Sequence, residues 1–186
     1  MERPPLGGFV SIDLRHFTTH DAGTIRTMLL DVHDDCYADQ QLEPFHERER
    51  FGWFVDNWSA HPDFACVVAY DGGEPVGFAY GAPAAEGQEW WRKSLDPAPD
   101  HSQTFALSEL MVRPRWRKTG ASELLHTELV EQRPEAMAVL LVDSTHPKVQ
   151  RLYESWHYKK VGEHQPFPDS PTYAVMLRDL HTPVTS

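Results

Sequence analysis

The segment LSELMVRPRWRKTGASELL, residues 107–125, contains the most informative change of pattern in the chain. Its apolar first part predicts a strand over Thr104–Val112, which ends before Pro114 because proline has no N–H group to donate to a sheet. A short basic turn follows over Arg117–Ser122. The spaced apolar residues beyond it predict a helix that begins after Gly120 and ends near Pro134.

The basic turn is a candidate anion site. Its last three residues are small, so a ligand can approach the backbone closely. The first N–H groups of a helix have no partner within the helix, and the helix dipole favours an anion there. A pyrophosphate would suit the turn; the alternative is an ordinary helix start under a solvated basic turn. No Walker or Rossmann pattern is present. The predicted site comprises Arg117, Lys118, Thr119, Gly120, Ala121 and Ser122.

Strands and helices alternate along the rest of the chain. The alternating stretch FVSIDLRHF, residues 9–17, predicts a first strand, and Thr18–Asp21 offers capping oxygens to the helix that follows. Residues 138–143, AVLLVD, are all apolar up to the last one, which is typical of a central strand buried on both faces. The other predicted elements are a helix over Phe45–Trp58, strands over Phe64–Tyr70 and Val76–Tyr80, a long loop to Ser102, a helix over Lys148–Trp156, and strands at Tyr158–Glu163 and Tyr173–Leu180.

Length and composition limit the classes of function. The 186 residues fit one domain, and we predict a single domain over residues 1–186. A net charge of −11 argues against a nucleic-acid partner, because phosphates would be repelled, and agrees with a cationic partner. The two cysteines, Cys36 and Cys66, imply no disulfide framework. Lacking a transmembrane-length run or a signal peptide's apolar core, the chain is expected to have no membrane partner and to be cytoplasmic.

The basic turn and the strand before it resemble the coenzyme A-binding motif of the GNAT superfamily of N-acetyltransferases. That motif is a strand ending in V-x-P followed by [QR]-x-x-G-x-[GA], and here Arg117 and Gly120 match it while Ser122 replaces the last small residue. In the superfamily the loop amides bind the pyrophosphate of the cofactor. The strand before it binds the pantetheine through its main chain, and this implies the same role for Leu110, Met111 and Val112.

A second segment resembles another superfamily motif, N-x-x-A-x-x-L-Y-x-x-x-G-F. Residues 142–161, VDSTHPKVQRLYESWHYKKV, place Leu152-Tyr153 at its Leu-Tyr pair and His146 at its Asn, from which His146 could donate a hydrogen bond to the cofactor. The order of predicted elements also agrees. The resemblance implies an α+β fold with a mixed, mostly antiparallel sheet of about seven strands flanked by about four helices.

The resemblance implies an acetyl-CoA-dependent N-acetyltransferase that acts on a primary amine of a small cationic molecule, by direct attack in a ternary complex. Two alternatives stay open: a non-catalytic acyl-CoA-binding module, suggested by the departures at Ser122, His146 and His157, and a peptide or protein N-acetyltransferase. The sequence does not exclude a homodimer. It contains no convincing pattern of metal ligands, so acetyl-CoA is the one cofactor expected and no metal is predicted.

Two residues are predicted to act on the reacting groups. Tyr153 is the expected general acid, because a phenol can hydrogen-bond the leaving sulfur; otherwise it is a core aromatic residue. Glu109 is the candidate base or amine-holding carboxylate, since burial in an apolar strand would raise its pKa; otherwise it lies on the exposed face of an alternating strand. A base found on the next strand in some relatives is replaced here by Leu141, and a chain of water molecules could replace any single base.

The acceptor is expected near the first two helices and the loop after the third strand. Aromatic walls would suit an ammonium-bearing ligand through cation–π contacts, although these residues could also be ordinary core or lid residues. Four acidic residues, Asp34, Asp35, Asp39 and Glu43, could attract a cation or simply form a solvated helix face. The predicted acceptor residues are Tyr37, Phe45, Trp53, Trp90 and Trp91.

Overall fold

The computed structural model of the chain describes residues 11–40 and 44–181, and within them seven strands form one sheet flanked by four α-helices. Along the sheet the strands follow the order β1-β2-β3-β4-β5-β7-β6. Only β4 and β5 are parallel neighbours, and every other neighbouring pair is antiparallel. The predicted α+β fold is therefore confirmed. The elements are β1 Ile12–Thr18, α1 Ala22–Cys36, α2 Arg48–Ser59, β2 Ala65–Asp71, β3 Glu74–Pro83, β4 Thr104–Val112, α3 Ala121–Val130, β5 Met137–Asp143, α4 Pro147–Ser155, β6 Lys159–His164 and β7 Tyr173–Asp179.

Local chemistry explains most of the boundaries. The capping oxygens predicted over Thr18–Asp21 act on the 3-10 turn Thr19–Asp21, where Thr18 and Asp21 form a capping box, and this turn leads directly into α1. The turn between β2 and β3 uses the left-handed backbone of Gly72 and Gly73, with φ of 55° and 88°.

Some boundaries differ from those predicted. The second helix begins at Arg48, because Phe45 belongs to a separate 3-10 turn, Pro44–His46. β3 continues beyond Tyr80 to Pro83 because Gly81, Ala82 and Pro83 stay paired with β4. Glycine permits this pairing, since a Cβ atom at position 81 would collide with the carbonyl oxygen of Ala106. Phe9 and Val10, predicted at the start of the first strand, lie outside the described residues.

The two faces of the sheet are covered by different helices, because successive residues of a strand point to opposite sides. In β2, Val67 and Ala69 pack with α3 and α4, whereas Cys66 and Val68 pack with α1 and α2. β5 lies between β4 and β7 and is buried along most of its length, which confirms the central strand predicted for residues 138–143.

The sheet is open between β4 and β5. These strands pair only at their first residues, where Thr104, Phe105 and Ala106 lie opposite Met137, Ala138 and Val139. Further on, β4 stays paired with β3 as far as Val112, while β5 stays paired with β7 as far as Asp143. The two strands therefore diverge, and one edge of Leu107–Val112 is left without a neighbouring strand.

Candidate active site

A cleft of about 970 Å³ occupies the opening between the diverging strands. The second half of β4 and the residues 140–143 of β5 line its centre. One end reaches the turn before α3 and the start of α4, and the other passes under α1, α2 and the β6–β7 segment. A pocket of this size is within the usual range for cofactor and substrate sites.

The turn before α3 is held in a shape that points amides outward. Trp116 is buried and donates its indole N–H to Asp71 at 3.0 Å, which fixes the start of the turn to the sheet. Lys118 and Gly120 both have left-handed backbones, with φ of 61° and 87°. Within the described residues, no acceptor receives a hydrogen bond from the amides of Gly120, Ala121 or Ser122. The turn therefore has the free donors that an anion site requires.

The residues predicted for cofactor binding are brought together at this end of the cleft. Thr119 and Gly120 do not line the cleft. The Thr119 hydroxyl instead donates to the carbonyl oxygen of Trp116 at 2.5 Å, and Gly120 has no side chain. His146 caps the start of α4 on the opposite wall, and its side chain is 61% exposed. The predicted cofactor-binding residues that do line the cleft are Leu110, Met111, Val112, Arg117, Lys118, Ala121, Ser122 and His146.

The guanidinium of Arg117 lies where β4 meets the turn. Its Nε donates to the carbonyl oxygen of Val112 at 3.3 Å, and its Nη2 donates to the carbonyl oxygen of Cys36 at 3.5 Å. The Cys36 thiol donates to the same Val112 oxygen at 3.4 Å. Burial raises the pKa of Cys36, so this thiol is not set up as a nucleophile.

Glu109 projects into the middle of the cleft. It follows a β-bulge in β4. Tyr80 of β3 lies opposite Glu109 and the next residue, Gly81, lies opposite Leu107, so Ser108 has no partner and is the extra residue. Beyond the bulge, Glu109 shares the side of Met111, which packs with α1 and α2. The side chain is partly exposed, and burial of the carboxyl raises its pKa from 4.5 to about 8. A carboxyl with such a pKa can exchange a proton near neutral pH.

Tyr153 enters the cleft from α4, on the other wall. Its ring is buried and packs edge-on against Trp156 and Tyr158, with ring centroids 5.3 Å and 5.7 Å away. No described residue hydrogen-bonds its hydroxyl, which leaves this group available to a ligand. Burial, and then the nearby Glu109 carboxylate, raise the pKa of Tyr153 well above its ordinary value, so the phenol keeps its proton.

The acceptor side of the cleft is aromatic. Of the predicted residues, Tyr37, Phe45, Trp53 and Trp90 line it. Phe54, Phe167 and Tyr173 also line it and were missed. Phe54 was missed because its place on the helical stripe suggested only core packing. Phe167 and Tyr173 lie in or beside a proline-rich segment, and no local sequence pattern reveals that this segment lies over α2.

The structure corrects the prediction for Trp91. This side chain is fully buried against Ala106, Met137 and Val139, away from the cleft, and its indole N–H donates to the Thr104 hydroxyl at 2.9 Å. The long loop folds back on the start of β4, so of the Trp90-Trp91 pair one ring faces the cleft and the next faces the core.

The acidic residues of α1 do not line the cleft. Asp34 forms an ion pair with Arg48, and Asp35 forms one with Arg113. Asp39 is exposed, and Glu43 lies outside the described residues. Across residues 11–40 and 44–181, no group of three or more potential ligand side chains could hold a metal ion, and no helix is long and apolar enough to cross a membrane.

Comparison with known proteins identifies the family and supports the fold. A model of the acetyltransferase (GNAT) family matches residues 26–158, a range that includes the turn, β4, Glu109 and Tyr153. An acetyltransferase from Thermus thermophilus shares 17% identity and a TM-score of 0.64, over 91% of this chain and 97% of that one. PaiA N-acetyltransferase from Thermoplasma acidophilum, solved with coenzyme A, shares 13% identity and a TM-score of 0.57, over 91% and 99%.

A third solved structure, Arabidopsis thaliana NAA60 with a bisubstrate analogue, shares 16% identity and a TM-score of 0.62, over 91% of this chain and 99% of that one. At these identities the structural likeness shows the fold. The sequence matches no curated protein at a significant level.

Proposed function

Because the chain belongs to the acetyltransferase (GNAT) family and is therefore an acetyl-CoA-dependent N-acetyltransferase, we propose that it acetylates a primary amine of a small cationic molecule. Both substrates are bound at once, and the amine attacks the thioester directly. The observation that carries this proposal is the cleft between β4 and β5, which joins an anion-binding turn, two titratable groups and an aromatic chamber in one continuous space.

The turn before α3 would hold the pyrophosphate of acetyl-CoA. The amides of Gly120, Ala121 and Ser122 have no acceptor among the described residues and could donate to its oxygens, and Arg117 and Lys118 add positive charge. The open edge of β4 offers main-chain groups to the pantetheine, and the fold leaves no competing strand there. Leu110, Met111, Val112 and His146 complete this half of the site. The bound cofactor supplies the activated acetyl group.

Glu109 would remove a proton from the acceptor. An alkylammonium has a pKa of about 10 in water, so most of the amine arrives protonated and must lose a proton before attack. Glu109 lies on the acceptor side of β4, and its raised pKa of about 8 lets it hold the ammonium as a carboxylate and then accept a proton. At the position on the neighbouring strand where some relatives have a base, this chain has Leu141, which lines the cleft and cannot accept a proton.

Tyr153 would donate a proton to the departing sulfur. It faces the cleft from the opposite wall, and its raised pKa keeps it protonated at neutral pH. The amide of Met111 or Val112 is the candidate donor to the carbonyl oxygen, on which negative charge develops. Base and acid thus approach the reacting centre from different elements, β4 and α4.

The test is to measure coenzyme A release with purified protein, acetyl-CoA and a broad panel of primary amines. Acetylation should require both substrates, and double-reciprocal plots at several fixed amine concentrations should intersect, as expected for a ternary complex. Parallel lines would indicate a covalent acetyl-enzyme and would contradict direct attack. Binding of acetyl-CoA without turnover of any amine, including peptides, would instead favour a non-catalytic acyl-CoA-binding module.

A further inference from the structure

We infer that the acceptor is a primary amine attached to an aromatic group, rather than a polyamine or a peptide. This inference rests on the proposed function, because it concerns the acceptor half of the same site. It depends on three features of that half: its rings, its charges and the way it is bounded.

The rings form an aromatic wall. Phe54 lies at the centre, with its ring centroid 5.1 Å from Trp53, 6.0 Å from Phe45 and 5.6 Å from Phe167. Trp58 and Trp90 extend the wall on the side of the long loop, with centroids 6.0 Å apart. Trp53 is 51% exposed, so much of its ring remains accessible to a ligand in the cleft. Edge and face contacts of this kind suit another aromatic ring.

The charges match one ammonium group. Among the described residues that line the cleft, only Glu109 and Asp143 carry a carboxylate. Asp143 is already engaged, because its Oδ1 accepts from both the amide and the hydroxyl of Thr145. Glu109 remains as the partner for the reacting amine. A second ammonium group, as in a polyamine, would be buried without an anion, and its cation–π contacts with the rings would offset only part of the cost of burying its charge.

The acceptor chamber is bounded on one side by an attachment between distant segments. Arg50 of α2 forms a two-point ion pair with Asp169, at 2.9 Å and 3.1 Å, and its guanidinium packs on the rings of Phe45, Phe54 and Phe167. This contact holds the β6–β7 segment against α2. A peptide would have to extend between these two elements, whereas a single ring with a short amine arm fits within the chamber.

Four matched acceptors test the inference by initial rates of coenzyme A release. They are 2-phenylethylamine, 2-cyclohexylethylamine of similar size without a π-system, 1,5-diaminopentane, and a short peptide with a free N-terminus. We expect kcat/KM to be highest for 2-phenylethylamine. A higher value for the diamine or the peptide would overturn the inference while leaving the acetyltransferase function intact, and an equal value for the cyclohexyl compound would overturn the aromatic requirement.

A failure of the proposed function would look different, since no amine would be acetylated. In that case calorimetric titration of the same amines into the protein loaded with coenzyme A tests the preference for an acceptor without requiring turnover. Tighter binding of 2-phenylethylamine than of 1,5-diaminopentane would support the inference, and equal or weaker binding would refute it.

Variants of α2 provide the second measurement. Trp53→Ala removes an exposed side chain, so the fold should survive, and kcat/KM for 2-phenylethylamine should fall by about fivefold or more. The KM for acetyl-CoA should not change. Glu49→Ala, an exposed residue of the same helix that does not line the cleft, is the matched control and should behave as wild type. An unchanged kcat/KM in Trp53→Ala would contradict the proposed wall.

Discussion

Replacing Glu109 with glutamine should decrease activity and increase stability at the same time. The substitution keeps the size of the side chain but removes its ability to accept a proton. As the base, Glu109 must be ionised, so wild-type kcat/KM should rise with pH and level off above an apparent pKa of about 8. In Glu109→Gln this limb should disappear, and kcat/KM at pH 8 should be lower by about a hundredfold.

The effect on stability follows from the same pKa. Burial raises the pKa of the carboxyl from 4.5 to about 8, so between these pH values the folded protein binds a proton that the unfolded chain has released. Wild-type stability should therefore fall as the pH rises through this window, by at most about 5 kcal/mol in total, at 1.36 kcal/mol per pH unit. Partial exposure of the side chain to the cleft makes the real value smaller. Glutamine does not titrate and should avoid this loss.

The assay is denaturant unfolding of both proteins at pH 5, 7 and 9, together with initial rates. The free energy of unfolding of Glu109→Gln relative to wild type should increase from pH 5 to pH 9. A difference that does not depend on pH would show that the carboxyl is not desolvated in the cleft. A wild-type pH–rate profile retained by the variant would refute Glu109 as the base, even if the stability result agreed.

Three further predictions concern other parts of the site. Tyr153→Phe keeps the ring contacts and should lower kcat by about a hundredfold without changing acetyl-CoA binding in calorimetry; an unchanged kcat would exclude Tyr153 as the acid. Gly120→Ala places a side chain at φ of 87° and should cost about 1–2 kcal/mol and weaken coenzyme A binding, whereas Gly87→Ala, at φ of 84° outside the cleft, should cost stability alone. Burial, and then the charge of Arg178, lower the pKa of His126 to about 4. The free energy of unfolding of wild type should therefore fall by about 3 kcal/mol as the pH drops from 6.5 through 4, because the unfolded chain binds this proton first. His126→Gln should not show this loss in denaturant unfolding at the same pH values.

The sequence predicted those features that depend on local patterns. Alternation, apolar runs, turn residues and helical spacing located the seven strands and four helices that the described part of the chain contains, and the proline and small residues around β4 located the turn proposed to bind the cofactor. Trp91 was assigned wrongly because its environment depends on where a long loop folds back, and adjacent tryptophans carry no signal of which one turns inward. Phe167 was missed for a related reason, since its contact with α2 joins residues far apart in the chain.

The orientation of Glu109 shows why such a site is hard to derive from alternation alone. In the first part of β4, Phe105 and Leu107 face α3 and α4, and strict alternation would send Glu109 to that same buried apolar side. The extra residue at Ser108 reverses the alternation, so that Leu110 and Val112 take the α3 side while Glu109 and Met111 face α1 and α2.

The bulge lies just beyond Ala106, the last residue of β4 paired with β5, so the strand changes orientation where the sheet opens. The same short segment therefore frees a main-chain edge for the cofactor and turns the carboxylate toward the acceptor. If Ser108 took a regular position in the ladder instead of forming the bulge, simple alternation would direct Glu109 into the apolar core, where an unpaired carboxylate is unfavourable. An extra residue that reduces local regularity is thus what would allow β4 to serve both proposed substrates.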